Sequence, residues 1–76
     1  MNWQERIVVD PKVMVGKPVI KGNRLTVELL LELLAENWTH EQILKSYPQL
    51  VREDIQAVLR YAAAMVKEER IYLLPA

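Results

Sequence analysis

Gly16-Lys17-Pro18-Val19-Ile20-Lys21-Gly22-Asn23-Arg24-Leu25-Thr26-Val27 is the stretch on which the reading of this chain turns. It holds both glycines of the protein and three basic side chains, Lys17, Lys21 and Arg24, with no acidic residue among them. Gly22-Asn23 pairs two residues that tolerate positive φ, as a tight reversal requires, and a short apolar run lies on each side. Pro18 to Lys21 is expected as one strand and Arg24-Leu25 as its return. Upstream, the β-branched run Ile7-Val8-Val9 is expected as a further short strand, stopped by the turn signal Asp10-Pro11. Residues 6–25 therefore read as a small β-hairpin unit of very short strands.

The rest of the chain is helical in pattern. Thr26 is the expected N-cap of a first helix over Val27 to Glu36, without a capping box because Leu29 stands at the third helical position. Asn37 is suited to a left-handed C-terminal residue there. Thr39 with Gln42 three residues on is a capping-box pattern for a second helix, which Pro48 closes. A third and longest helix is expected from near Val51 to about Glu69, with Ile55, Val58, Leu59, Ala62 and Val66 at helical spacing. Ile71-Tyr72-Leu73-Leu74 forms an apolar tail before Pro75. The expected fold is mainly α with a small N-terminal β-hairpin. A single domain over residues 1–76 would comprise the hairpin arm at 1–25, a three-helix core at 26–70 and the tail at 71–76.

Bulk composition narrows the function classes. A chain of 76 residues buries only about 60–65% of its unfolded surface, so a monomer would be marginal. With 51% hydrophobic residues there is more apolar material than one small core hides, which points to a homodimer. The absence of cysteine removes disulfides and thiolate zinc sites. No apolar run approaches membrane-spanning length and no signal-peptide pattern opens the chain, so a soluble cytoplasmic protein is expected. The net charge of zero conceals a split: residues 1–25 carry five basic and two acidic side chains (+3), residues 26–76 five basic and eight acidic (−3). A uniformly basic nucleic-acid binder is excluded, whereas a local basic patch on an acidic body is not.

Three faces carry information. On the first helix, at about 100° per residue, Glu28, Glu32 and Glu36 share a narrow strip while apolar residues cover roughly 240°. A surface helix needs an apolar stripe only a little wider than about 100°, so this helix is expected to bury two sides, either both within its own chain or one against a partner. The Glu strip is either a solvated face or a dock for a basic surface. On the third helix, Arg52, Gln56, Arg60 and Lys67 fall within about 80°, with small Ala63 between them. The second and third helices are joined around Pro48-Gln49-Leu50, a spacing that suits a helix-turn-helix. Arg and Gln read guanine and adenine edges, although Glu53 and Asp54 beside them would repel phosphate. The hairpin cations Lys17, Lys21 and Arg24 either embrace phosphates or simply blunt a sheet edge.

Enzymatic readings find no support. His40 is the only histidine, expected exposed in the first turn of the second helix, with neither a second His nor a Cys to make a metal site or triad. No Gly-rich phosphate loop and no paired acid/base carboxylates are present, so no catalytic residue, cofactor or metal is expected. Trp3, Trp38, Tyr47 and Tyr61 read as core or interface anchors, Trp38 plugging the corner between the first two helices.

The run Gly16-x-Pro18-x-Ile20-x-Gly22-Asn23-Arg24-x-x-Val27, preceded by Asp10-Pro11, resembles the bacterial domain-of-unknown-function family 433. Trp38-Thr39-x-Glu41-Gln42-Ile43-Leu44, then Tyr47-Pro48-x-Leu50 and Glu53-Asp54-Ile55-x-Ala57, fit the same family, so the resemblance spans nearly the whole chain. Asn23 stands where the family usually has Thr, and Val51 where a Ser or Thr cap would be expected. The resemblance implies a homeodomain-like or winged helix-turn-helix fold. It also implies a role like that of VapB-type antitoxins, which bind DNA and neutralise a PIN-like nuclease toxin. The residues expected at DNA are Lys21, Arg24, Arg52, Gln56 and Arg60; those expected at a protein partner are Glu28, Leu29, Glu32, Leu33 and Glu36. The alternatives are a protein-interaction module that does not touch DNA and a purely structural homodimer.

Overall fold

A computed structural model describes residues 2–12 and 14–68, and of Met14 the backbone alone. The chain enters through a single 3-10 turn, Trp3–Glu5, capped by the Asn2 side chain, which accepts the Gln4 N–H at 3.1 Å. Strand β1 (Ile7–Val8) then pairs antiparallel with β2 (Val19–Ile20), Ile7 opposite Ile20 and Val8 opposite Val19.

The partner of β2 is thus β1, and the return strand expected at Arg24-Leu25 does not form. Only a single bridge, Val19 with Thr26, and the Ile20 N–H to Leu25 carbonyl bond at 2.9 Å mark that side. The pairing goes no further because the neighbouring donors are engaged elsewhere, the Lys21 N–H at the Arg6 carbonyl and the Leu25 N–H at Asn23 Oδ1. The Val27 N–H to Pro18 carbonyl bond at 3.0 Å is the second bond of that bridge, and the helix begins beside it with the Leu29 N–H on Thr26 Oγ1 at 3.0 Å. Within the reversal only Gly22 takes positive φ, 89°, where any side chain is strained although space is open. Asn23 keeps negative φ and contributes through its side chain, Oδ1 accepting the Leu25 N–H at 3.0 Å.

Helix α1 (Val27–Ala35) follows its Thr26 cap and ends as expected at Asn37, whose φ is 70°. The Asn37 N–H reaches the Leu34 carbonyl and the Trp38 N–H reaches the Leu33 carbonyl, both at 3.0 Å, which is a Schellman termination. Half-buried Trp38 packs against the core at this corner. Helix α2 (His40–Ser46) carries the complete capping box, Gln42 N–H to Thr39 Oγ1 at 3.1 Å and Thr39 N–H to Gln42 Oε1 at 2.8 Å. His40, the first residue of α2, is half-buried rather than exposed. A five-residue connection, residues 47–51, leads to α3 (Arg52–Glu68). The tail expected at 71–74 lies outside the described residues. Among those residues no helix is long and apolar enough to cross a membrane.

One core joins all these pieces: Ile7 and Ile20 from the sheet, Val27, Leu30 and Leu33 from α1, Ile43 from α2, and Leu50, Ile55 and Val58 from the α3 side. Helix α1 is central, with its buried side at Val27, Leu30 and Leu33 and half-buried Leu29, Leu31 and Leu34 flanking it. The wide apolar arc is therefore covered largely by the chain's own neighbours. Trp3 stacks edge-on against Tyr61 of α3, ring centroids 5.3 Å apart, fixing the entry turn to the third helix.

A second tie is electrostatic. Asp54, 6% exposed, takes the place that the residue at Val51 cannot fill. Its Oδ2 accepts the Val51 N–H at 3.0 Å, capping α3 from inside its first turn, while its Oδ1 accepts from Arg6 Nη1 at 3.0 Å across 48 positions of sequence. Replacing Asp54 by Ala removes a cap worth about 1 kcal/mol and strands a half-exposed guanidinium, so a total cost of about 2–3 kcal/mol is expected. That corresponds to a Tm lower by roughly 8–24 °C in thermal circular dichroism. An Arg6→Ala, Asp54→Ala double-mutant cycle with no coupling energy would show that the pair contributes nothing.

Candidate functional site

Helix α3 turns Asp54, Ile55, Ala57 and Val58 inward, and this sets what faces out. Arg52, Gln56, Arg60 and Lys67 are all exposed, on the single face their spacing predicts. Among the described residues, none of these three cations has a carboxylate within ion-pair distance. The two acids expected to spoil this face behave differently. Glu53 is exposed, but Asp54 is buried and neutralised by Arg6, so it does not meet an approaching phosphate. Leu59, 40% exposed, and Val66, 62% exposed, run along one edge of the same face.

The hairpin brings one further cation to this helix. Lys21 lines a polar recess of about 260 Å³ with Glu5, Arg6 and Asp54, at the first turn of α3. The backbone places it there, since the Lys21 N–H donates to the Arg6 carbonyl at 2.8 Å. Arg24 is exposed at the hairpin tip and does not share that recess. Lys17 turns the other way, its Nζ 3.7 Å from Glu28 Oε1 on α1.

The α1 strip is divided. Glu28, Glu32 and Glu36 are exposed together. Leu33, expected at a partner, is instead in the core, and Leu29 is half-buried against it. Angular spacing defines the width of an apolar arc but not which edge the neighbours leave open; Leu33 joins the core with Ile43, Ile55 and Val58. The open edge is the other one, where Leu31 and Ala35 lie. Together with Val27, Pro18 and Tyr61 they floor an apolar groove of about 460 Å³, with Lys17, Glu28 and Glu32 at its rim. Sequence reasoning missed this groove; its signal was Leu31 and Ala35, four positions apart beside Glu28 and Glu32.

The family model described as protein of unknown function DUF433 matches residues 7–62. The chain belongs to that family. Its fold is similar to the crystal structure of a DUF433 member protein from Anabaena variabilis, with a TM-score of 0.78 and 26% identity over 86% of this chain. The match covers 64% of that neighbour, so this chain spans less than two thirds of its length. An uncharacterised protein of Archaeoglobus fulgidus is 75% identical over 24 residues, which are 32% of this chain and 67% of that protein.

The Lys17–Glu28 pair, with side chains 57% and 63% exposed, is a weak tie between hairpin and α1. Lys17→Ala is expected to cost less than about 1 kcal/mol, under about 4–8 °C in Tm, with the difference fading in high salt. A fall as large as that of Asp54→Ala would contradict this assignment.

Proposed function

We propose that this protein is a homodimeric, homeodomain-like helix-turn-helix protein that binds DNA with the outer face of α3. In this reading it acts like a VapB-type antitoxin, holding a PIN-like nuclease through α1. The observation that carries the DNA reading is the exposed row Arg52, Gln56, Arg60 and Lys67, without an acidic partner among the described residues. A cation already paired inside the protein has less to gain from a phosphate, whereas these side chains reach solvent free. Arg and Gln also carry the donor geometry that reads purine edges, and small Ala63 between them leaves room for close approach. Capped α2 and the Asp54 latch hold α3 rigidly behind this face, and Lys21 adds a cation at its first turn. Arg24, exposed in the reversal after β2, is a further candidate phosphate contact in this reading.

A second reading, protein binding without DNA, is favoured by the α1 groove, whose apolar floor and acidic rim of Glu28 and Glu32 fit a basic, apolar partner segment.

Fluorescence anisotropy on duplexes from the chain's own upstream region tests the first. With three or four phosphates neutralised, affinity is expected to fall roughly 40- to 150-fold between about 50 and 200 mM salt. The triple variant Arg52→Ala, Gln56→Ala, Arg60→Ala, which loses two of those charges, should remove about half to two-thirds of that slope. Absence of binding even at low salt, about 20 mM, would end the DNA reading. Co-purification with a co-expressed PIN-like nuclease, lost on Glu28→Lys with Glu32→Lys, together with no DNA binding at about 20 mM salt, would support the second.

A further inference from the structure

The face that α3 turns outward is not uniformly polar. Leu59, 40% exposed, and Val66, 62% exposed, stand one heptad apart on it. At about 100° per residue, Leu59 lies roughly 20° from Arg52 and roughly 40° from Ala63 around the helix. An apolar line therefore runs beside the cationic row, with small, exposed Ala63 between Leu59 and Gln56.

A surface that only gripped phosphates would gain nothing from Leu59, because phosphate oxygens offer no apolar contact. The floor of the major groove does offer one, the C5 methyl group of thymine. Position along the helix singles out Leu59 for it. Leu59 lies seven residues beyond Arg52, about 10.5 Å at 1.5 Å per residue, or about three base pairs at 3.4 Å each. Val66 lies about 21 Å beyond Arg52, where a straight helix has left the curving groove; base contacts come from the N-terminal residues of a recognition helix. Ala63, one turn after Leu59, adds no bulk to hold the helix away from the base edges.

On the DNA reading above, on which this inference rests, we propose that Leu59 is a specificity-determining residue. It packs on the C5 methyl of a thymine about three base pairs from the purine read by Arg52, so that the protein selects T·A over C·G at that pair.

Uracil pairs as thymine does and lacks only the C5 methyl. Duplexes from the chain's own upstream region, made with thymidine or with deoxyuridine throughout, therefore isolate the contact. Fluorescence anisotropy at about 50 mM salt compares them. The unsubstituted protein is expected to bind the uracil duplex about four- to fifteen-fold more weakly, for one buried methyl in each of one or two half-sites. Leu59→Ala should bind both duplexes alike, whereas Leu59→Met, which keeps an apolar side chain, and Val66→Ala should retain the preference. Equal binding of the two duplexes by the unsubstituted protein would overturn the thymine contact and leave the DNA reading standing. A thymine preference that survives Leu59→Ala, in a protein with unchanged circular dichroism, would dismiss Leu59 as its source. Binding to neither duplex at about 20 mM salt would end the DNA reading and this inference with it.

Discussion

Asp54 receives two donors whose origins could hardly be further apart in this chain: its neighbour's backbone N–H at Val51 and the guanidinium of Arg6. The first contact starts α3 without a conventional N-cap side chain, and the second ties that start to the residue just before β1. Because the Arg6 carbonyl also accepts the Lys21 N–H, one residue holds the entry strand, the hairpin tip and the third helix in a fixed relation. A buried carboxylate is tolerable here because both of its oxygens are satisfied and no buried side-chain polar atom among the described residues lacks a partner. The apolar core then closes around a geometry that this polar joint has defined. Trp3 against Tyr61 reinforces the joint with an aromatic contact between the same two regions.

The joint also redistributes charge. Arg6 and Asp54 cancel each other internally, and Lys17 and Glu28 do so weakly at the surface. What remains outward is uneven: an α3 face with three cations, and an α1 strip with Glu32 and Glu36. A chain of zero net charge therefore presents two surfaces of opposite character. Surfaces of this kind select partners by local potential rather than by overall charge.

Much of the local architecture is legible in the sequence because it rests on contacts within a few residues. The Thr39–Gln42 capping box, the Thr26 cap, the left-handed Asn37 and the positive φ of Gly22 all follow from side chains acting on backbone groups near them. The exposed row on α3 is legible for the same reason, since helical periodicity alone puts Arg52, Gln56 and Arg60 on one face. The pairing of β2 is not, because the Lys21 N–H goes to Arg6, fifteen positions earlier, and the Leu25 N–H turns to the Asn23 side chain. Leu33 belongs to the core although its spacing offers it equally to a partner, since an apolar arc has two edges and only packing chooses between them.

By itself, then, the sequence determined the three helices, their caps, the turn at Gly22 and the composition of the outer face of α3. Each is set by interactions of short range, which a linear pattern records. The tertiary structure alone decided that β1 rather than residues 24–25 completes the sheet. It also turned Asp54 from a phosphate-repelling neighbour into a latch, and left the Leu31–Ala35 edge of α1 open as a groove. Those outcomes depend on residues up to 48 positions apart meeting in space, and no periodicity or spacing encodes which distant group will arrive.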